Sequence, residues 1–122
     1  MTKKLNTTPL EETEQQAFVI WLDSQISKGA DIIYSAIPNS TFTTSWNQKR
    51  LNKAMGVCPG LPDLFIITAN HNLLYIEMKR QKGSTTSPEQ KEWIADINDC
   101  DNAQAFICKG FAEAKIVIEC FI

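Results

Sequence analysis

Residues 56–82 read GVCPGLPDLFIITANHNLLYIEMKRQK, a pattern of two strands joined by a turn. PDLFIIT (Pro62 to Thr68) is a short apolar run behind a Gly-Leu-Pro breaker, LLYIEMK (Leu73 to Lys79) is a second, and Asn70, His71 and Asn72 supply the turn. Nearly every position of both runs is apolar, which suits strands covered on both faces of a sheet. Charges are out of place in such strands. Yet Asp63 stands at the mouth of the first and Glu77 near the end of the second, so an antiparallel hairpin carries both to one edge of the sheet. Lys79, two residues beyond Glu77, projects from the same face.

Two carboxylates and an ammonium at one end of a buried sheet are costly unless they are paired or bind a cation. With a nearby backbone carbonyl, that of Met78, they form a hard oxygen donor set suited to Mg2+ or Mn2+. Such a cation acidifies water and neutralises charge building on a phosphate. Lys79 suits orienting that water and stabilising an anionic transition state better than acting as a base. A plain salt bridge of Lys79 with Asp63 or Glu77 would explain any one of these charges. It does not explain the series: a Gly-rich approach, Pro-Asp, an apolar strand, a turn, an apolar strand, Glu-x-Lys.

That series resembles the PD-(D/E)xK nuclease superfamily and, in its flanking residues, the VRR-NUC (virus-type replication-repair nuclease) family. The matching residues are Gly56, Gly60, Pro62 and Asp63, then Glu77 and Lys79, then Gln90 in SPEQKEW, with ETEQQ (Glu12 to Gln16) and Pro38-Asn39 upstream. The resemblance implies a restriction-endonuclease-like fold and a Mg2+-dependent DNA nuclease in which Mn2+ substitutes, with no small-molecule cofactor. It implies a site built from Asp63, Glu77, the Met78 carbonyl and Lys79, with Gln90 lining it. In that family one Glu of the first helix reaches the metal, often through water. Glu14 matches that role best, with Glu12 and Gln16 next, and the choice among Glu11, Glu12 and Glu14 stays open. The resemblance further implies replication, repair or recombination, branched or flapped DNA, and stand-alone phage-like members acting as homodimers.

At 122 residues the chain is expected to form one domain, residues 1–122, with a single core. No apolar run reaches membrane-spanning length and MTKKLNTTP lacks the apolar segment of a signal peptide, so a cytoplasmic protein of a bacterial or phage-infected cell is expected. Cys58, Cys100, Cys108 and Cys120 show no C-x-x-C spacing and the chain has one His, which argues against zinc and for buried, reduced cysteines. The net charge of -2 excludes a protein that coats nucleic acid through bulk positive charge. Its distribution is more telling. Six of the twelve basic residues (Lys49, Arg50, Lys53, Lys79, Arg80, Lys82) fall between Ser45 and Lys82, where Asp63 and Glu77 are the only acids. A basic rim around an acidic floor fits a phosphate cleft, although a solvated helix face would also account for Lys49, Arg50 and Lys53.

Thr8-Pro9-Leu10-Glu11 predicts a capping box that opens a helix running to Gly29, with Ala17, Phe18, Ile20, Trp21 and Leu22 inward. Asp31 to Ile37 reads as a strand that stops at Pro38-Asn39. The loop STFTTSW follows, with Phe42 and Trp46 able to stack on nucleic acid or to pack in the core. Trp46 to Met55 has helical spacing with Leu51, Ala54 and Met55 inward, and it would deliver Asn39, Arg50 and Lys53 near the Gly56-to-Asp63 turn. RQKGSTT is a polar loop able to lie against substrate. Ser87-Pro88-Glu89-Gln90 opens a helix to about Asn98 with Trp93, Ile94 and Ile97 buried, where Gln90 either closes the capping box or lines the site. Ala103 to Cys108 is a fourth strand and Phe111 to Ile122 a terminal helix.

The order is α-β-(α)-β-β-α-β-α, an α/β domain with a mixed four-stranded sheet flanked by helices. Two functions of different class follow: a nuclease, or a nucleic-acid-binding module or partner-dependent subunit without turnover of its own. A small interaction domain with strand-end salt bridges is the third and weakest. Intact Asp63, Glu77 and Lys79 favour the enzyme, since a pure binding module gains nothing from acids in a phosphate cleft.

Overall fold

The computed structural model describes residues 7–38 and 44–122. In chain order the elements are α1 (Glu11–Ser27), β1 (Ile32–Ala36), α2 (Trp46–Ala54), β2 (Leu64–Thr68), β3 (Leu73–Lys79), α3 (Pro88–Asn98), β4 (Ala103–Lys109) and α4 (Phe111–Glu119). The sheet order is β1-β2-β3-β4, antiparallel across the first three and parallel between β3 and β4. Parallel neighbours need a crossover, and α3 is that crossover, packed on β4.

Strand registers sort the side chains into two faces. Ile32, Leu64, Ile66, Leu74, Ile76, Met78 and Cys108 share one face, buried under Phe18 and Leu22 of α1 and Ala114 and Ile118 of α4. Ring contacts of Trp21 with Phe18 and Phe111 join the two helices over that core. The opposite face holds Phe65, Ile67, Tyr75, Glu77 and Lys79. There α3 covers the β4 side through Ile97, and Asn98 bonds both backbone groups of Ala105 (Oδ1 from N at 2.8 Å, Nδ2 to O at 3.1 Å). Phe65, Ile67 and Tyr75 are only half-buried, so coverage of β2 and β3 is complete on one face and partial on the other. Their continuous apolar run reflects one deep core plus a half-wet surface rather than two covered faces.

Four other expectations are corrected. The cap of α1 is Leu10, which makes no side-chain cap bond, so Thr8 and Pro9 lie outside the helix. Ile20 is 70% exposed, because the buried positions Glu14, Phe18 and Leu22 follow a strict four-residue spacing that leaves it on the far side. The helix α2 buries no residue and packs on no other element among the described residues, with Leu51 and Met55 exposed rather than inward. Of the four free cysteines only Cys108 is buried, where loss of solvation pushes its thiol up to about 12. Phe42 and Asn39 lie outside the described residues. No helix of the described residues is long and apolar enough to cross a membrane.

The loop from α2 into β2 is held against the start of α3. Trp93 Nε1 donates to the Pro59 carbonyl at 3.0 Å, and Gly60 has a φ of +90° with its α-carbon pressed on the first turn of α3. A Cβ at residue 60 would stand 2.8 Å from both the carbonyl carbon and the Cβ of Glu89. Gly60→Ala is therefore expected to lower stability by about 2 kcal/mol, combining left-handed strain with overpacking. Urea denaturation checks this, and a loss below about 0.5 kcal/mol would mean that the loop does not press on α3.

Candidate metal centre

The β2–β3 register decides which groups meet. Leu64 pairs with Ile76, so Asp63 comes opposite Glu77, as the hairpin reading expected. One step further the same register sets Pro62 across from Met78. A proline has no N–H for the Met78 carbonyl, so the ladder ends there. The Met78 N–H is taken instead by Asp63 Oδ2 at 2.7 Å. On the other side of Asp63, its carbonyl accepts from Ile37 N at 2.7 Å, fixing the backbone to β1. Strand geometry thus holds Asp63 from two sides, across from Glu77.

Glu77 is 2% exposed. Its Oε1 accepts from Gln90 Nε2 at 3.0 Å and lies 3.7 Å from Lys79 Nζ, while its Oε2 is buried with no hydrogen-bond partner. Gln90 closes the capping box and also reaches Glu77 and Lys79. Its Oε1 accepts from Ser87 N at 3.0 Å and Ser87 Oγ accepts from Gln90 N at 3.1 Å, which is the complete capping box. The same Oε1 accepts from Lys79 Nζ at 2.9 Å. One glutamine therefore caps α3 and gathers Lys79 and Glu77.

A third carboxylate completes the cluster. Oxygens of Glu11, Asp63 and Glu77 all lie within 4.8 Å of one another. Glu14, the best match by motif, is instead buried against Gly110 and accepts from Gln81 Nε2 at 3.1 Å. Of the α1 acids it is Glu11 that joins the carboxylate group: positions 11 and 14 lie about 60° apart around the helix axis and one turn apart along it, and Glu14 falls on the inward stripe of Phe18 and Leu22. Glu12 and Gln16 are exposed, and neither belongs to the carboxylate group. Acids at a helix start are common enough that only the tertiary contact distinguishes Glu11 from its neighbours.

Like charges in a poorly solvated place raise one another's pKa. Burial pushes Glu77 up to about 8, with the Asp63 charge adding to it and Lys79 opposing. Asp63 is also raised by burial, against the pull of the Met78 N–H, and Glu11 by burial and then the Asp63 charge. In the absence of a cation these effects favour the protonated form of Glu77. A divalent cation fits this place on the structure's own terms: three hard oxygen donors converge, and the orphaned Glu77 Oε2 lacks any other partner.

The basic residues divide. Arg80 is turned to protein, with Nε donating to the Pro9 carbonyl at 3.1 Å and a terminal nitrogen to the Thr8 carbonyl at 2.7 Å. No feature of the sequence marked these two contacts, which sit beside its reading as a phosphate contact. Lys82 is exposed. On α2, Trp46 is 74% exposed with Lys49 Nζ 4.8 Å above its ring, and Arg50 bonds Asn47. Lys49, Asn52 and Lys53 line one wall of a groove of about 440 Å³, facing Val57, Cys58 and Pro59.

Comparison with known proteins supplies the remaining observation. The family model described as VRR-NUC domain matches residues 3–112. A solved structure described as a VRR_NUC domain protein is 27% identical, with a TM-score of 0.69 over 95% of this chain and 90% of that chain. Among curated proteins none matches.

Glu77 titrates near 4.5 when unfolded and near 8 in the fold, so the folded state holds the extra proton between those values. The stability contributed by protonated Glu77 is complete below the lower value and is lost as pH rises through the upper one. In EDTA, Glu77→Gln should therefore melt higher than the parent by a margin that is small near pH 5 and grows to several degrees near pH 8.5. A margin that stays constant across thermal melts from pH 5 to pH 9 would show that Glu77 is not buried against a second acid.

Proposed function

The chain belongs to the VRR-NUC domain family, and on that premise we propose that it is a metal-dependent nuclease that hydrolyses DNA phosphodiester bonds. The observation that carries the reading is the buried, unpartnered Oε2 of Glu77, whose carboxylate lies with those of Asp63 and Glu11. Glu11, Asp63, Glu77 and the Met78 carbonyl hold Mg2+, and Mn2+ takes its place. When bound, the cation neutralises charge on a phosphate and makes water a better nucleophile. The chain's own residues do the rest. Lys79, fixed at 2.9 Å from Gln90 Oε1, presents its ammonium beside the acids and donates to the negative charge that grows on the phosphate. Gln90 acts through Lys79 and Glu77, keeping both at fixed distance from the reacting phosphate.

Substrate approaches from the side of α2. Lys49, Arg50, Lys53 and Lys82 contact phosphates, and Trp46 offers an exposed ring for a base to stack on. Branched or flapped DNA in replication, repair or recombination is the proposed substrate class. A single cleft cuts one strand, so a homodimer is the proposed assembly for cutting two. A binding module without turnover is the reading that cleavage assays would separate from this one.

Asp63→Asn and Glu77→Gln should each abolish Mg2+-dependent cleavage across labelled flap, splayed-arm, four-way and single-stranded DNAs while the protein stays folded. Near-normal cleavage by either variant would dismiss the metal assignment, and an inactive parent on every substrate would favour the binding module. In single-turnover cleavage at saturating enzyme and Mg2+, Lys79→Ala should slow the chemical step by about 2.7 to 4 kcal/mol, the scale of one preorganised donor. A rate within about threefold of the parent would reduce Lys79 to an ion-pair partner.

Lys49→Ala and Lys53→Ala should each weaken DNA binding equally across sequences and flatten its salt dependence by about one unit per lost phosphate contact. An unchanged slope in both would place α2 away from the DNA.

A further inference from the structure

The two residues after Lys79 make the longest-range side-chain contacts of the polar loop, and both reach the start of α1. Arg80 spans 71 and 72 positions of sequence to the Pro9 and Thr8 carbonyls, and Gln81 spans 67 to the Glu14 carboxylate. Glu11 lies between these ties, two residues after Pro9 and three before Glu14. The first turn of α1 has no side-chain cap bond of its own. Beside the packing of Phe18 and Leu22 on the sheet, the chain leaving β3 thus ties this first turn in place.

We propose that Arg80 is a positioning residue for the metal centre: by holding the Thr8 and Pro9 carbonyls it keeps the Glu11 carboxylate beside those of Asp63 and Glu77. The physical reason is repulsion. Three acids within 4.8 Å push one another apart, and Asp63 and Glu77 are fixed by the sheet. The least costly relief is for the first turn of α1 to swing outward with Glu11, since helix ends fray more easily than sheets. Arg80 opposes that swing with two donors in a rigid planar fork, which sets both distance and direction. Its own backbone directly follows Lys79 at the end of β3. The same short stretch thus carries a site residue and the clamp that brings in the third acid.

The proposal rests on the metal-centre reading, so its test separates the two. Mn2+ binding is titrated by the EPR signal of the free ion at pH 8 for the parent, Asp63→Asn, Glu11→Gln, Arg80→Ala and the Glu11→Gln/Arg80→Ala double variant. Asp63→Asn should lose binding. Glu11→Gln and Arg80→Ala should each weaken it roughly tenfold, and the double variant should be no weaker than Glu11→Gln alone, because the clamp acts only through Glu11. If Asp63→Asn binds Mn2+ like the parent, the metal-centre reading fails and takes this proposal with it. If Asp63→Asn fails to bind while Arg80→Ala stays within about twofold of the parent, or weakens binding equally with and without Glu11, only the positioning role is overturned. Should Arg80→Ala not fold, Arg80→Lys, which keeps the charge but not the fork, enters the same cycle under the same criteria.

Discussion

Three carboxylates forced together at the end of a buried strand are an electrostatic cost that a folded chain ordinarily avoids. Here one of them, Glu77, is almost fully enclosed and leaves an oxygen without a partner. Lys79 at 3.7 Å is one positive charge against several negative ones and does not balance them. Each neighbouring feature reads as a device for keeping the acids in place. Pro62 has no N–H for the Met78 carbonyl, and the Asp63 side chain takes the Met78 N–H. Gln90 grips both Glu77 and Lys79, and Arg80 holds the chain ahead of Glu11.

The same economy couples folding to the site. Gln90 belongs to the capping box of α3, and Gly60 lets the approach to β2 lie on that helix's first turn. Gly110, whose N–H donates to the Lys79 carbonyl at 2.9 Å, stands so close to Glu14 and Gln81 that a Cβ there would collide with both. The end of β3 is thereby packed from three directions by residues distant in sequence. Stability at this end and geometry of the acids are one property, because few of these contacts could be lost without moving Asp63, Glu77 or Lys79.

Much of this was legible from residue order, because strand pairing obeys local rules. The apolar runs flanking Asn70 to Asn72 gave the hairpin, and the hairpin placed Asp63 against Glu77. Ser87-Pro88-Glu89-Gln90 opened a helix where expected. What escaped the sequence depended on partners far along the chain. Glu11 and Glu14 are indistinguishable as acids in a first helical turn, and only the packing of Phe18 and Leu22 decides which faces the sheet. Arg80 looked like any basic residue in a polar loop until its carbonyl partners appeared. Leu51 and Met55 have the spacing of a buried stripe, yet nothing among the described residues lies opposite them. Periodicity predicts a helix; it does not supply the surface to cover.

That last mismatch has a consequence for how such a protein changes over time. A helix that buries none of its side chains is under little obligation to the core, so most exchanges along it leave folding untouched. Selection can therefore reshape the surface carried by α2 while the acids at the end of β3 stay constant. The helix behaves as a replaceable head on a fixed engine. Grafting a different exposed helix between residues 45 and 56 would change that surface at little cost in stability.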